Sequence, residues 1–381
     1  IEPETFQEGS EFLMAPYILV FIFLSVMVLI TPSLKMRHRY VAFFFGAVVI
    51  ICLQALRWRT GTDWKPYHDG FMQVLQNYQR KDFEIGYVLL NKIVRNFTDS
   101  FTIFLFVECG LNLFCIWVFA KRMQVRNPSL VLIYLFIIGL FPIRYTLASN
   151  LILTSYIYLF ESRFKPFAAT VILAFLIHRT TIAFLPVYFI CRKNIPMSVL
   201  VAIYVGCIIL GRLAETTLGY LNVFFMMFYD GADSTMQGKM DHYLKGEIAE
   251  YGEMSTGRYL LSIANSTLYV LFFYYFKNKY FKSDLKYNIL FNLYVLGISF
   301  NRLVIGVVPD LGRLTSLFTG SFIILISLII TKLTPIWQFV LTLAILTYCF
   351  LSYYSSINGI YSDLYIPYYS IFSSSIRNTV Y

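Results

Sequence analysis

Five arginines lie at the ends of apolar stretches, at positions that the charge pattern of the chain places outside the cell. They are Arg57, Arg59, Arg144, Arg179 and Arg313. An arginine carries a permanent charge on a planar fork that can pair with two phosphate oxygens at once. Arginines at span ends can also simply reach lipid headgroups, which is our interpretation of Arg95 and Arg212. Arg57, Arg144 and Arg313 each adjoin a short turn on one face, and this position favours binding of a diphosphate without a metal.

Two further residues, Asp63 and His178, could move a proton or orient a hydroxyl group. The charge of the adjacent Arg179 lowers the proton affinity of His178, which leaves a neutral imidazole able to accept a proton. A lone histidine in apolar surroundings is also often only a hydrogen-bonded structural residue. Asp63 could be the base, or it could orient Arg57 or Arg59. The sequence leaves these alternatives open.

Aromatic residues make up 19% of the chain, and most of them must face lipid or the protein core. Trp58, Trp64, Tyr67 and Tyr87 differ because they lie on the predicted external side, close to the charged run. A flat apolar face with a polar group at its edge suits a sugar ring. Anchoring at the membrane interface explains any one of them equally well.

The sequence predicts neither a metal site nor a cofactor. A pair of carboxylates in D-x-D spacing is absent, and Asp63 has no acidic neighbour nearer than Asp69. The six cysteines all lie within apolar runs, without the C-x-x-C spacing or the histidine partners of a metal site. We therefore expect core thiols.

Composition sets the class of protein that positions these residues. With 58% hydrophobic residues, 14% charged residues and a mean hydropathy of +0.65, the chain is predicted to be an all-α polytopic membrane protein. Residues 1–13 are expected to be vector-derived, because Gly9-Ser10-Glu11-Phe12 is typical of adjoining cloning sites and Met14 resembles a native start. The first apolar run lacks a basic region and a cleavage site, which indicates a retained span.

A membrane span needs roughly 20 apolar residues. Full-length candidates lie at about 15–32, 39–56, 100–120, 195–212, 258–276, 287–306, 313–331 and 335–353. Four shorter stretches form two pairs, 129–143 with 145–160 and 167–177 with 179–191. Each half is too short to span alone, so we expect hairpins or broken helices that line protein or a wet cavity. The total is about 12 transmembrane helices.

The short loops on one side of these spans hold 15 basic residues against two acidic ones, Glu161 and Asp284. By the positive-inside rule this side is cytoplasmic, and both termini are external. The net charge of +10 reflects these loops and does not indicate nucleic-acid binding.

The external segments are expected to be structured. Residues 82–97 have apolar residues near helical spacing and predict an amphipathic helix at the interface, within the external loop 57–99. The glycine-containing loop 213–257 is predicted to be a lid over a cleft. The chain then divides into a membrane domain at 14–353 and an external tail at 354–381.

Taken in order, these residues resemble the EpsG/Wzy-type polysaccharide polymerases from Met14 to about residue 369. The motifs are Arg57-x-x-x-Gly61-Thr62-Asp63-x-x-x-Tyr67, Glu84-Ile-Gly86-Tyr87, Arg144-x-x-Leu-Ala148, His178-x-Thr180 before Leu185-Pro186, and Arg313 near Phe318. The family often has serine where this chain has Thr180, and an aromatic pair where it has Leu317-Phe318. Both departures retain the charged groups, so they affect subfamily and sugar specificity more than reaction type.

The resemblance implies a metal-independent membrane glycosyltransferase of the GT-C type in the bacterial inner membrane. It would join oligosaccharide repeats linked to undecaprenyl diphosphate at the periplasmic face, and a chain-length regulator is a possible partner. Arg57, Arg144 and Arg313 would bind the diphosphate with help from Arg59 and Arg179. Asp63 or His178 would orient or deprotonate the acceptor hydroxyl. Trp64, Tyr67, Glu84 and Tyr87 would contact the sugar or another part of the substrate.

Two other functions use similar residues. An O-antigen ligase would take the same donor but transfer the glycan to lipid A-core. A flippase or transporter would also contain broken helices and buried charges. The transporter is disfavoured because the unusual polar residues gather at one face and no paired inverted halves are evident.

Overall fold

The computed structural model describes residues 10–76, 83–141, 143–228, 256–304, 312–318, 320–359 and 361–373. All regular secondary structure in these ranges is helical. The one β-bridge among the described residues is an isolated antiparallel bridge between Arg57 and Ser370. Five helices of the described part are long and apolar enough to cross a membrane. The predicted all-α membrane class is confirmed, whereas the total of about 12 spans stays a prediction.

The helices follow the predicted apolar runs. In chain order they are α1 (Ser10–Ile30), α2 (Met36–Ala55), α3 (Trp64–Gln73), α4 (Ile85–Arg95), α5 (Phe101–Arg122), α6 (Pro128–Ile138), α7 (Ile143–Phe160), α8 (Phe164–Ile177), α9 (Val187–Ile190), α10 (Met197–Phe228), α11 (Thr256–Tyr280), α12 (Leu285–Val304), α13 (Gly312–Ser316), α14 (Gly320–Ile330), α15 (Pro335–Ile357) and α16 (Ser362–Tyr365). A 3-10 segment, Arg179–Phe184, follows α8.

Local sequence explains where several of these helices start. The side chain of Ser100 accepts a hydrogen bond from the Ile103 N–H at the start of α5. Asn127 does the same for the Leu130 N–H of α6, and Pro128 occupies the first helical position, where no N–H is needed. These caps fix the ends of helices whose apolar sides pack in the membrane.

The chain forms two compact units. The first contains Ile1–Tyr188 and Ile326–Tyr381, and the second contains Phe189–Leu325. In the first unit, a buried cluster joins α3, α4, α5, α7 and α8. Its members include Trp64, Phe71, Tyr87, Phe101, Phe104, Ile143, Leu147 and Ile177.

The second unit contains a buried arginine on α12. Arg302 Nη2 donates to the Ser262 carbonyl of α11 at 2.9 Å and contacts the hydroxyl of Ser266. Asn292 of α12 donates to the carbonyls of Cys191 and Lys193, each at 2.9 Å. These bonds satisfy Arg302 Nη2 and Asn292 Nδ2, which would be costly to bury alone in an apolar interior. Arg302 Nε and Asn292 Oδ1 have no hydrogen-bond partner among the described residues.

Two predictions about the external segments have different outcomes. Helix α4 lies within the predicted helix 82–97, whereas α10 continues to Phe228 instead of ending at residue 212. The prediction of a loop at 213–257 was therefore wrong for residues 213–228, because apolar residues such as Val223 and Phe224 extend the helical run. Residues 229–255 lie outside the described part. The domain division at 14 and 353 stays a prediction.

Candidate active site

Arg57 lies just after α2, and its side chain is buried with 2% of its surface exposed. Its Nη1 and Nη2 donate long bonds to the carbonyls of Thr60 at 3.5 Å and Phe141 at 3.4 Å. Its guanidinium carbon lies 4.5 Å from the centre of the Phe141 ring. Burial lowers the pKa of Arg57, while Cys109 and Glu108 act in the opposite direction. No carboxylate in the described part forms an ion pair with it.

The C-terminal segment 361–373 holds the turn that carries Arg57. The Trp58 N–H donates to the Tyr369 carbonyl at 2.9 Å, and the Gly61 N–H donates to the Leu364 carbonyl at 2.7 Å. The predicted external tail is therefore part of the site, pairing with a turn more than 300 residues earlier in the chain. Nothing in the sequence indicated this contact.

Gly61 completes the same turn. Its φ of +93° lies in a region that favours glycine, and an added Cβ would stand 3.2 Å from both Arg57 Nη1 and the Phe141 ring. Glycine therefore permits the close approach of backbone and guanidinium at this point.

A second cluster forms around Glu84, which directly precedes α4. Its Oε2 lies 2.6 Å from Arg144 Nη1, in the first turn of α7. Its Oε1 accepts a bond of 3.1 Å from the backbone N–H of Arg179, and Arg179 Nε is 4.0 Å from the same oxygen. One carboxylate thus joins two of the predicted diphosphate ligands. The side chain of Arg179 remains largely exposed.

His178 is the last residue before the 3-10 segment that begins at Arg179, so it adjoins the Glu84 cluster. The side chain is mostly buried, and its Nδ1 is 2.7 Å from the hydroxyl of Thr180. The Tyr145 ring packs edge-on against the imidazole at 5.3 Å. Thr180 and Tyr145 therefore fix the orientation of the ring.

Asp63 directly precedes α3 and forms no ion pair with Arg57 or Arg59 among the described residues. It nevertheless interacts electrostatically with Arg57 and with Tyr365 of the C-terminal segment. Arg59 is held with a positive φ of 46° in the turn. A direct ion pair of Asp63 with Arg57 or Arg59 is therefore absent among the described residues, and an orienting role of Asp63 stays a prediction.

The aromatic residues predicted to contact sugar pack together under the turn. Tyr87 is fully buried and Trp64 nearly so, while Tyr67 is half-buried. Tyr67 stacks on Phe83 at 5.3 Å and meets Tyr87 edge-on at 5.8 Å. Trp64 stacks on the imidazole of His68 at 4.7 Å. Trp64 and Tyr87 thus support the site from within the core.

Four buried N–H donors in this region have no acceptor among the described residues. They are Arg57 Nε, Trp58 Nε1, Arg59 Nε and Trp64 Nε1. Buried polar groups are rarely left without a partner, so each such group requires an explanation. These four donors around the turn suit a ligand rich in acceptor oxygens. The hydroxyl of Tyr87 and the carbonyl oxygen of the Asn91 side chain, on the neighbouring helix α4, also have no partner among the described residues.

Arg313 lies on α13 of the second unit, and its side chain falls outside the described part. Among the described side chains, the candidate site contains the first-unit residues Arg57, Asp63, Glu84, Arg144 and His178 and their neighbours. Within the described part, no group of three or more His, Cys, Asp and Glu side chains is arranged to hold a metal.

The EpsG family profile matches residues 40–370 of the chain. The chain belongs to the EpsG family. This family resembles the Wzy-type polymerases. The chain is therefore a membrane protein that resembles polysaccharide polymerases and glycosyltransferases. The EpsG match extends from α2 to the C-terminal segment, so it contains both sides of the turn around Arg57. No curated protein and no solved structure matches the chain.

Proposed function

We propose that the chain is a polysaccharide polymerase that joins oligosaccharide repeats linked to undecaprenyl diphosphate, at the external face of the bacterial inner membrane. The observation that carries the proposal is the buried guanidinium of Arg57. It has no carboxylate partner in the described part and lies among N–H donors that have no acceptor. A buried cation with neighbouring donors suits the oxygens of a diphosphate.

In the proposed reaction, a hydroxyl oxygen of the incoming repeat forms a bond with the anomeric carbon of the growing glycan. The bond between that carbon and the diphosphate oxygen breaks, and its electrons remain on the diphosphate. Arg57 would stabilise the charge that develops there, because donors fixed in advance need no reorganisation during the reaction. Arg59, Arg144 and Arg179 would contribute further positive charge.

Glu84 supports this proposal by holding Arg144 and the backbone of Arg179 in one place. A guanidinium whose position is fixed by a carboxylate loses less conformational freedom when an anion binds. We therefore assign Glu84 to the positioning of the arginine cluster, in addition to its expected place near the substrate.

The proton of the acceptor hydroxyl needs a base. His178 and Asp63 are the two candidates, and His178 has the better-defined orientation because Thr180 and Tyr145 hold its ring. Asp63 is only half-buried and forms no ion pair with a described residue, so its carboxylate is also suited to accept a proton. Tyr67 and the exposed edges of the aromatic cluster would contact sugar.

The proposal includes a GT-C-like, metal-independent enzyme whose site faces the periplasm and whose termini are both external. A chain-length regulator is a further possible partner. These features follow from the resemblance and from the distribution of basic loops.

The proposal is tested by glycan ladders from a strain that lacks the chromosomal copy and carries a plasmid-borne variant. We expect Arg57→Gln to abolish chains longer than one repeat while single capped repeats persist, because losing one charge-stabilising donor costs about 100- to 1000-fold in rate. Arg95→Gln is the matched control. Arg95 lies on α4, pairs with Asp99 and packs on the Phe71 ring.

Membrane levels of both variants must match the wild type. Long polymer retained on the lipid carrier in the strain without the gene would favour a ligase. Loss of single repeats as well would favour a transporter. Normal ladders from Arg57→Gln would overturn the assignment of Arg57 to the diphosphate.

A further inference from the structure

The buried guanidinium of Arg57 is only weakly oriented by hydrogen bonds. Its two side-chain bonds, to the carbonyls of Thr60 and Phe141, are 3.5 and 3.4 Å long. Well-formed bonds between N–H and oxygen are shorter. Arg144 differs, because the carboxylate of Glu84 holds it at 2.6 Å. The orientation of Arg57 therefore depends on contacts other than these two bonds.

One such contact is with the buried ring of Phe141. The guanidinium carbon of Arg57 lies 4.5 Å from the centre of this ring, within the distance of a cation–π contact. An added Cβ on Gly61 would stand 3.2 Å from the same ring, so the backbone of the turn also closes on it. The ring can orient the guanidinium only if the ring itself is prevented from rotating away.

Two other aromatic side chains hold Phe141 in place. Tyr365, in the C-terminal segment, stacks on it with the ring centres 5.7 Å apart and 20° between the ring planes. Tyr17 of α1 meets it edge-on at 6.4 Å. The hydroxyl of Tyr17 also donates to the backbone carbonyl of Tyr365 at 2.9 Å, which joins the two supports. Phe141 is thus packed against one ring from each end of the chain.

The backbone around Tyr365 is attached to the turn that carries the arginine. The carbonyl of the preceding residue, Leu364, accepts from the Gly61 N–H at 2.7 Å. Three residues later, the Tyr368 hydroxyl donates to the carbonyl of Leu53 in the last turn of α2 at 2.8 Å. Because both bonds end close to the turn, the ring of Tyr365 keeps a fixed position relative to the guanidinium.

We propose that Tyr365 is a positioning residue that acts through Phe141 to direct the Arg57 guanidinium toward a bound diphosphate. This inference rests on the proposed function of Arg57. Without the ring at position 365, Phe141 gains room to rotate, and Arg57 takes several orientations, of which only some meet the anion. Binding must then also order the arginine side chain, and this requirement weakens the affinity.

The test measures the dissociation constant of farnesyl diphosphate for purified full-length proteins, with uncharged farnesol as the control ligand. Tyr365→Leu removes the ring. Tyr365→Phe retains the ring and removes only the hydroxyl, which interacts with Thr62. The matched control is Tyr361→Leu, because Tyr361 lies in the same segment and its side chain is exposed. Arg57→Gln and its double variant with Tyr365→Leu complete the set.

We expect Tyr365→Leu to weaken the binding of farnesyl diphosphate by about fivefold, as the ordering of one long side chain would require. The binding of farnesol should not change. Tyr365→Phe and Tyr361→Leu should each stay within about twofold of the wild type, because neither removes the stack on Phe141. In the Arg57→Gln background, Tyr365→Leu should change the dissociation constant by less than about twofold.

Three results would overturn the inference: wild-type affinity in Tyr365→Leu, an equal loss in Tyr365→Phe or Tyr361→Leu, or an equal loss in the Arg57→Gln background. If Arg57→Gln binds too weakly for a measurement, the comparison of the two Tyr365 variants with Tyr361→Leu decides alone. Wild-type affinity in Arg57→Gln would instead contradict the proposed function.

A second variant covers a folding failure of Tyr365→Leu. Phe141→Leu removes the other ring of the stack and leaves the C-terminal segment unchanged, so the same fivefold loss is expected, by the same ordering of the arginine. If neither variant accumulates while Tyr365→Phe does, the stack serves folding and not anion binding, and the inference fails.

Discussion

The sequence predicted that Glu84 has a functional role, but it did not predict the residues that Glu84 contacts. Its type and its place in the motif Glu84-Ile-Gly86-Tyr87 marked it as a substrate contact. Its actual partners, Arg144 and Arg179, lie 60 and 95 residues further along the chain. A sequence without an alignment gives no means of pairing charges across such separations. Arg57 differs, because its place beside a short turn at the end of an apolar run was predicted from the sequence, whereas its burial was not.

A substitution of Glu84 tests this arrangement. Glu84→Gln should destabilise the protein by about 3 kcal/mol, because it leaves Arg144 mostly buried without its carboxylate. Thermal unfolding in detergent measures the effect. The control is Glu161→Gln, since Glu161 pairs with the exposed arginines Arg122 and Arg163, and such surface pairs contribute about 1 kcal/mol or less. Equal shifts in the two variants would show that the Glu84 pair is no stronger than a surface pair.

At the scale of elements, α4 and α8 approach closely enough to bring Glu84 to Arg179. The sequence predicted both helices, since their apolar periodicity and length are local properties. Their contact depends on Gly86, where an added Cβ would lie 2.7 Å from the carbonyl oxygen of Leu176. Packing of this kind involves two distant segments, so neither helix pattern alone predicts it.

Gly86→Ala should therefore push α4 away from the end of α8. We expect a loss of stability of about 1–3 kcal/mol, as in other overpacked contacts. We also expect at least about a tenfold loss of polymer, because displacement of groups near the chemistry by an ångström is costly. Gly110→Ala on α5 is the control, since nothing lies within 4 Å of its added Cβ. Matching losses in both variants would mean that helix spacing at Gly86 is unimportant.

At the scale of the whole molecule, composition already predicted a membrane protein, because 58% hydrophobic and 14% charged residues are incompatible with an ordinary soluble domain. The arrangement of the site depended on contacts that composition does not encode. The C-terminal segment pairs with the turn around Arg57 through backbone bonds, which any residue other than proline can donate. Such bonds have no signature in residue type, and the tail was therefore predicted only as an external segment.

The central claim is that this one chain, with its Arg57 site, extends a glycan on a lipid diphosphate. The most direct test is an assay of glycan products. Purified protein in liposomes is incubated with an undecaprenyl-diphosphate-linked repeat, with and without a metal chelator. We predict products of two or more repeats, one undecaprenyl diphosphate released for each bond formed, no effect of the chelator, and loss of product in Arg57→Gln. Unchanged single repeats in the presence of correctly folded wild-type protein would contradict the claim.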